Sequence, residues 1–441
     1  MTEQAYTPGQ LIREAREFLR WSQQDVADAL NTAAGTVSLG RHSVYRWEAG
    51  LRLPQEWWPL LCQVLGVPEE AMEAAMALAV AMRGGNQTLV PAALTSGLWD
   101  RADAGTLAAM LDGDQAVTAD NATAIAHAWL VTPPPQIVHQ RAGRRIGTEL
   151  LADLDQRTVR LRRLDDFAGV TVLLPAVLQE LRETVKLARE ASYTEESGRR
   201  LLALLSEQAQ LAGWVTCDAG RVDQGVSLYL TGVKAAHAAG DRTLAALNLG
   251  CAGYAYANHG KAAEGLLMAR SALAGCEGSA SPLERTLLLD KVAWTAAMAS
   301  EVREAETAVK RSTASHDDVD DHAERPDWLY WCSRDESDVM AGRVFTETHR
   351  PLRAVPLLTA ALERYDTTHV REIALYSSWL AQAYVNANEI DEAVAVASRV
   401  YDLAAASDSP RAVRRLDTVL HALAPHRDTP AVRDLLERAA P

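Results

Sequence analysis

A period of forty residues constrains this chain more than any other feature. Trp214, Tyr254 and Trp294 stand forty apart, as do Gly213, Gly253 and Ala293, and again Gly225, Gly265 and Ala305. Two looser units continue the pattern with Gly342 and Ala354, then Ala381 and Ala393. A period of this length marks a repeat, each unit being one supersecondary element that cannot bury its apolar face alone. The spacing predicts helical hairpins. A small residue on the first helix and another twelve positions on, on the second, let two backbones approach, and Gly220, Gly260 and Ser300 between them make the turn. Neighbouring hairpins then stack into a curved α-solenoid. Helices expected over about 411–424 and 429–439 cap the stack. The stretch 313–327 interrupts it with His316, Asp317, Asp318, Asp320, Asp321 and His322, which reads as a solvated acidic loop in preference to a metal site.

Composition agrees with an all-α chain, rich in alanine and leucine and holding only 3 phenylalanines. Cys62, Cys217, Cys251, Cys276 and Cys332 are scattered, odd in number and never in Cys-x-x-Cys spacing, so neither zinc nor disulfides are expected, and no other cofactor is. The apolar stretch Ala74–Met82 near the front is too short to span a bilayer, and no basic segment followed by an apolar one opens the chain. A cytoplasmic protein with no membrane partner is the expectation. A net charge of −14 excludes a protein that coats nucleic acid over its whole surface, but not a local footprint. Lysine is scarce, the first being Lys186, so phosphate contacts in the first third fall to arginine, polar side chains and backbone amides.

The first seventy residues are a separate pattern. Gly9 to Arg20 place Leu11, Ile12, Ala15, Phe18 and Leu19 at helical spacing; Ser22 then caps a second helix that buries Val26, Ala27 and Leu30. After Asn31, Gly35 and Gly40 comes a third helix over Arg41–Glu48, closed by Gly50, and two more are expected at about 55–65 and 69–82. Residues 29–47 hold no carboxylate while carrying Arg41, His42 and Arg46.

The segments Ser22 to Ala27, Val44 to Gly50, Pro54 and Leu65-Gly66-Val67 resemble the Xre (Cro/C1-type) helix-turn-helix over about the first 68 residues, with a longer turn from Asn31 to Gly40. That resemblance implies that the third helix enters the major groove of double-stranded DNA. Arg41, His42, Ser43 and Tyr45 are then the base-reading candidates. Arg46 reads a guanine or grips a phosphate. Gln23 and Gln24, at the start of helix two, face the DNA backbone; Val44 and Trp47 look inward, and Glu48 braces the motif.

The repeats resemble tetratricopeptide hairpins, best in Leu380, Ala381, Tyr384, Ala393 and Ala397, though nearer forty residues than thirty-four. That resemblance implies a right-handed solenoid whose first helices line a concave, ligand-binding side. In that register the inward-facing positions are Glu207, Gln210, Trp214 and Asp218; Tyr254 and Asn258; Asp290 and Trp294; Arg343; and Gln382 and Asn386. Aromatics among amides and both charge signs suit a short peptide or a compact polar molecule. The alternative is that Trp214, Tyr254 and Trp294 simply pack between hairpins.

Together these divide the chain into a DNA-binding domain over 1–83, a linker over 84–100, a helical connecting or dimerising region over 101–197 and a repeat domain over 198–441. In the middle region Pro133-Pro134-Pro135 breaks helices expected at about 104–111, 119–131 and 144–164, and the arginine-rich run from Arg141 to Arg163 reads as a solvated amphipathic face or as a partner-binding helix. The domain order resembles the peptide-responsive RRNPP regulators and repeat-bearing Xre regulators of actinobacteria. It implies a homodimeric, ligand-modulated transcription regulator. The alternative is a repeat scaffold that holds a protein partner while the DNA head localises the complex. No phosphate loop, nucleophile elbow or metal spacing points to an enzyme.

Overall fold

The computed structural model describes residues 8–36, 39–48, 54, 57–69, 71–72, 75, 98–99, 101–111, 119–137, 143, 145–320, 322–366, 368–406 and 410–439. Gly50, Asp321, most of the expected helix at 69–82 and all of the expected linker except Leu98 and Trp99 lie outside them. The chain divides into two compact units, Met1–Leu89 and Val90–Pro441. The described residues are all-helical apart from one isolated bridge and a parallel pairing of Leu98–Trp99 with Gln136–Ile137. Among them no helix is long and apolar enough to cross a membrane.

In the first unit α1 is Pro8–Phe18, α2 Gln23–Ala34, α3 Arg41–Glu48 and α4 Trp58–Leu65. Ser22 and Asp25 form a capping box that starts α2, satisfying two otherwise orphaned N–H groups. Gly35 ends α2 at φ 62°, a left-handed conformation that costs glycine little. The expected long turn is therefore shorter, since Asn31 to Ala34 are still helix. Asn31 then clamps the returning strand of chain through both Leu39 backbone groups, at 2.8 and 3.0 Å. Ile12, Val26, Leu30, Val44, Trp47 and Leu61 form the core. Phe18 and Leu19, expected on the buried face, are instead exposed at the end of α1, while Ile12 is buried and Leu11 and Ala15 pack partly against the core.

The second unit begins with α5 (Arg101–Leu111), α6 (Ala119–Val131), α7 (Thr148–Leu164) and α8 (Val170–Glu190). Five antiparallel helix pairs follow among the described residues: α9 (Glu195–Asp218) with α10 (Val222–Ala239), α11 (Arg242–Ala257) with α12 (Ala262–Gly275), α13 (Pro282–Met298) with α14 (Val302–Asp317), α15 (Arg334–Glu347) with α16 (Pro351–Arg364), and α17 (Val370–Ala387) with α18 (Ile390–Ala406). Helices α19 (Pro410–Leu423) and α20 (Pro430–Arg438) end the unit. The first helices of successive pairs touch one another, α9 to α11 to α13 to α15 to α17 to α19, forming one row.

The small-residue register has a direct steric reading. A Cβ on Gly253 would lie 2.6 Å from the Gly265 carbonyl oxygen, and one on Gly265 2.5 Å from that of Gly253. Nothing larger than glycine lets α11 and α12 approach this closely. The joints Gly220, Gly260 and Ser300 take positive φ, as do His349 and Asn388 in the last two pairs. Helices α5, α6 and α7 pack on the first pairs, with Trp129 of α6 filling the space above Gly275.

Candidate functional site

Two sets of expected site residues lie in the two units, and each is built differently. In the first unit the back of α3 is fixed. Val44 and Trp47 are buried, and the Glu48 carboxylate accepts from Arg16 of α1 and, at 2.7 Å, from the Gln23 amide of α2. Burial of this pair is nearly complete on the Glu48 side, whose side chain is 3% exposed against 14% for Arg16. The Glu48 carboxylate raises the Arg16 guanidinium above its ordinary value, overcoming burial, which opposes it.

The front of α3 is open. Arg41, His42, Tyr45 and Arg46 are exposed and Ser43 half-buried, with the His42 and Tyr45 rings stacked at 6.1 Å. Gln24 ties α2 to this face by accepting from the Arg41 N–H at 3.3 Å and donating to Asp28 at 2.8 Å. Of the two glutamines, then, Gln24 stays at the surface while the Gln23 amide is turned inward to Glu48.

In the second unit a cavity of about 450 Å³ lies along the row of first helices. Gln210, Trp214, Tyr254 and Arg343 of the expected set line it. Their rings form a ladder: Trp214 to Tyr254 at 6.4 Å, Tyr254 to Trp294 at 6.1 Å, and Trp294 edge-on to Trp379 at 5.3 Å. Trp294 is buried between helices, while Trp214 and Tyr254 meet the cavity. In the fourth pair Arg343, one residue past Gly342, stands where Trp214 stands past Gly213. Its guanidinium lies 4.2 Å over the Trp294 ring and donates to the Tyr254 hydroxyl at 2.8 Å.

The remaining expected residues are engaged elsewhere. Glu207 pairs with Arg162 at 3.1 Å, and burial raises its carboxyl against that pairing. Asp218 pairs with Arg411 at 3.3 Å. Asn258 accepts from the Trp294 indole at 3.2 Å and donates to the Tyr254 carbonyl at 2.8 Å. Asp290 turns away from the cavity to Ser312 and Ser337, and burial pushes its carboxyl up to about 7. Gln382 accepts from Arg415 at 3.1 Å, and Asn386 donates to the Thr346 carbonyl at 2.9 Å.

Much of the lining comes from outside the register. A 3-10 turn, Asp327–Leu329, with Tyr330 and Trp331 after it, contributes Trp328, Tyr330 and Trp331 to the cavity wall and is fastened to the end of α7. Asp327 accepts from Arg162 and Arg163, both at 2.6 Å; the Tyr330 hydroxyl donates to Asp166 at 2.6 Å, and Arg163 lies 3.5 Å over the Tyr330 ring. Arg162 is thus buried and ion-paired, unlike the solvated face read for this arginine run. Asp165, whose carboxyl burial pushes up to about 6 despite Arg371 at 3.7 Å, lines the same end. Lys291 also lines it, one residue past Asp290 and forty past Cys251, which faces the cavity too. The period carried the signal for Lys291; the 3-10 turn and the α7 end have no counterpart in it.

No family model matches the chain, and no curated protein does.

Proposed function

We propose that the chain is a sequence-specific DNA-binding transcription regulator, acting as a homodimer, whose second unit binds a short peptide or small-molecule signal that modulates DNA binding. In this reading α1–α4 are a helix-turn-helix of the Xre type, and α9–α18 are a right-handed solenoid of tetratricopeptide-like hairpins capped by α19 and α20. The observation that carries the reading is the two-sided character of α3. Val44, Trp47 and Glu48 are locked behind it, while Arg41, His42, Tyr45 and Arg46 face solvent with no carboxylate among them. A reading helix needs both, a rigid back to fix its register and free donors in front to meet base edges and phosphates.

The cavity supports the sensing half. At about 450 Å³ it falls among small-ligand sites and is too small for a folded partner, which favours a signal over a scaffold role. Such a ligand shifts DNA affinity only through different affinities for two states of the protein.

Fluorescence-anisotropy titration of the full chain on selected duplex DNA, across a salt series, tests the reading. Log affinity falls linearly with log salt concentration. Arg46→Ala lowers that slope by about one ion if Arg46 holds a phosphate, and relaxes specificity at one position if it reads a base. Binding that ignores sequence and survives Arg41→Ala and Arg46→Ala unchanged contradicts it.

A further inference from the structure

The ionic groups lining the cavity are not all paired with one another. Each carboxylate has a hydrogen-bond or ion-pair partner: Asp165 and Glu372 share Arg371, at 3.7 and 2.9 Å, Asp166 accepts from Tyr330 at 2.6 Å, and Asp366 accepts from Thr368 at 2.9 Å. Asp335 accepts from Arg364, and Glu336 from Tyr365 and, at 2.8 Å, from Tyr376. Of the cations, Arg162 is matched by Glu207 and Asp327, and Arg411 by Asp218. Two remain. Lys291 is 6% exposed and its ammonium has neither a hydrogen bond nor an ion pair among the described residues; what it meets is the face of the Tyr254 ring, 4.3 Å away. Arg343 is 7% exposed, makes no ion pair among those residues, and leaves its Nε without a partner.

A buried cation without a directly paired anion is costly, and the carboxylates of Asp290 and Glu336 act on Lys291 and Arg343 only from beyond ion-pair distance. Positive potential is felt at that ring: burial alone pushes the Tyr254 phenol up, yet Arg343, Arg411 and Lys291 together hold it below its ordinary value. The Tyr254 hydroxyl accepts from Arg343, so its own proton stays available to donate. Around this point Trp214, Leu247, Leu287, Trp328 and Trp331 supply apolar and flat walls.

The geometry points to an anion subsite: the cavity holds the carboxylate or phosphate of a small organic acid between Lys291 and Arg343, with the acid's flat apolar body against the tryptophans. This rests on the reading of the cavity as a ligand site, and narrows it to an acidic ligand class. The anion supplies the missing partner for both cations, and the low dielectric strengthens each contact.

Isothermal titration of the full chain with indole-3-acetate, phenyl phosphate and the neutral indole-3-acetamide provides the test, with Lys291→Met as the variant. An acid binds at least tenfold tighter than the amide, and Lys291→Met loses at least tenfold for the acid while leaving the amide unchanged. Without ligand, Lys291→Met melts above the natural chain, because a buried charge without a direct ion pair has gone. Equal affinity for acid and amide, undiminished acid binding in Lys291→Met, or a lower melting temperature for that variant overturns the anion subsite and leaves the cavity a ligand site. Binding of no probe, acid or amide, at millimolar concentration counts against the cavity as a ligand site and so against the reading beneath.

Discussion

Asp218, at the end of α9, pairs with Arg411, at the start of α19, at 3.3 Å. The first and last parts of the helical row are thereby joined beside the cavity that Arg411 lines, in an ion pair whose side chains are 12% and 23% exposed. The Arg411 guanidinium also lies 5.0 Å over the Trp214 ring. Burial lowers its proton affinity, and Asp218, with more distant acidic groups, raises it above the ordinary value. Asp218→Asn removes the charge without changing shape and leaves Arg411 buried and uncompensated. We expect a loss of about 3 kcal/mol in the unfolding of the second unit, read by chemical denaturation. Faster hydrogen exchange at the start of α19 accompanies it, and unchanged stability contradicts this role.

Stability depends on pH through Asp290. Its carboxyl is raised to about 7, mainly by burial, while Ser312, Lys291 and Ser337 act in the opposite direction. A carboxyl that titrates higher when folded binds its proton more tightly in the native chain. Its contribution is therefore full below the ordinary value near 4, and is lost as pH rises to about 7. Asp290→Asn keeps the shape and removes this dependence. The difference in melting temperature between variant and natural chain is near zero at pH 4, grows in favour of the variant through pH 7, and is level above it. At the plateau it corresponds to about 4 kcal/mol at most. A flat difference across that range contradicts the buried, protonated carboxyl.

The helical register was legible because steric demands repeat with the repeat. Gly253 and Gly265 are small for the reason the spacing suggests, and Ser300 makes the turn that Gly220 and Gly260 make elsewhere. The ladder Trp214, Tyr254, Trp294 follows from the same period. What no period announces is a contact made once. The Arg162–Asp327 pair spans 165 positions, and the Arg371–Asp165 pair joins α17 to the residue just past α7. Asp290 was expected to face the cavity because it is in register with Gln210, yet Lys291 is the residue that does. The two Ser hydroxyls that hold Asp290 lie on α14 and α15, far along the chain, and decide the direction.

In the first unit Glu48 is predicted to matter for order and not for contact. Glu48→Ala leaves Arg16 without its buried carboxylate and frees the Gln23 amide. We expect the unfolding of residues 1–89 to lose about 3 kcal/mol and α3 to lose hydrogen-exchange protection. Glu48→Gln, which keeps one acceptor, costs less. If both variants melt like the natural chain, the brace is not one.

The central claim, that the open face of α3 reads DNA, is tested most directly by genome-wide DNA capture with the purified full chain, run beside Arg41→Ala/Arg46→Ala. Both arginines are exposed and make no ion pair among the described residues, so their removal leaves the fold intact. The account predicts a short two-part motif enriched by the natural chain and lost in the double variant, whose circular dichroism is unchanged. The same motif recovered with undiminished enrichment by the double variant would contradict it.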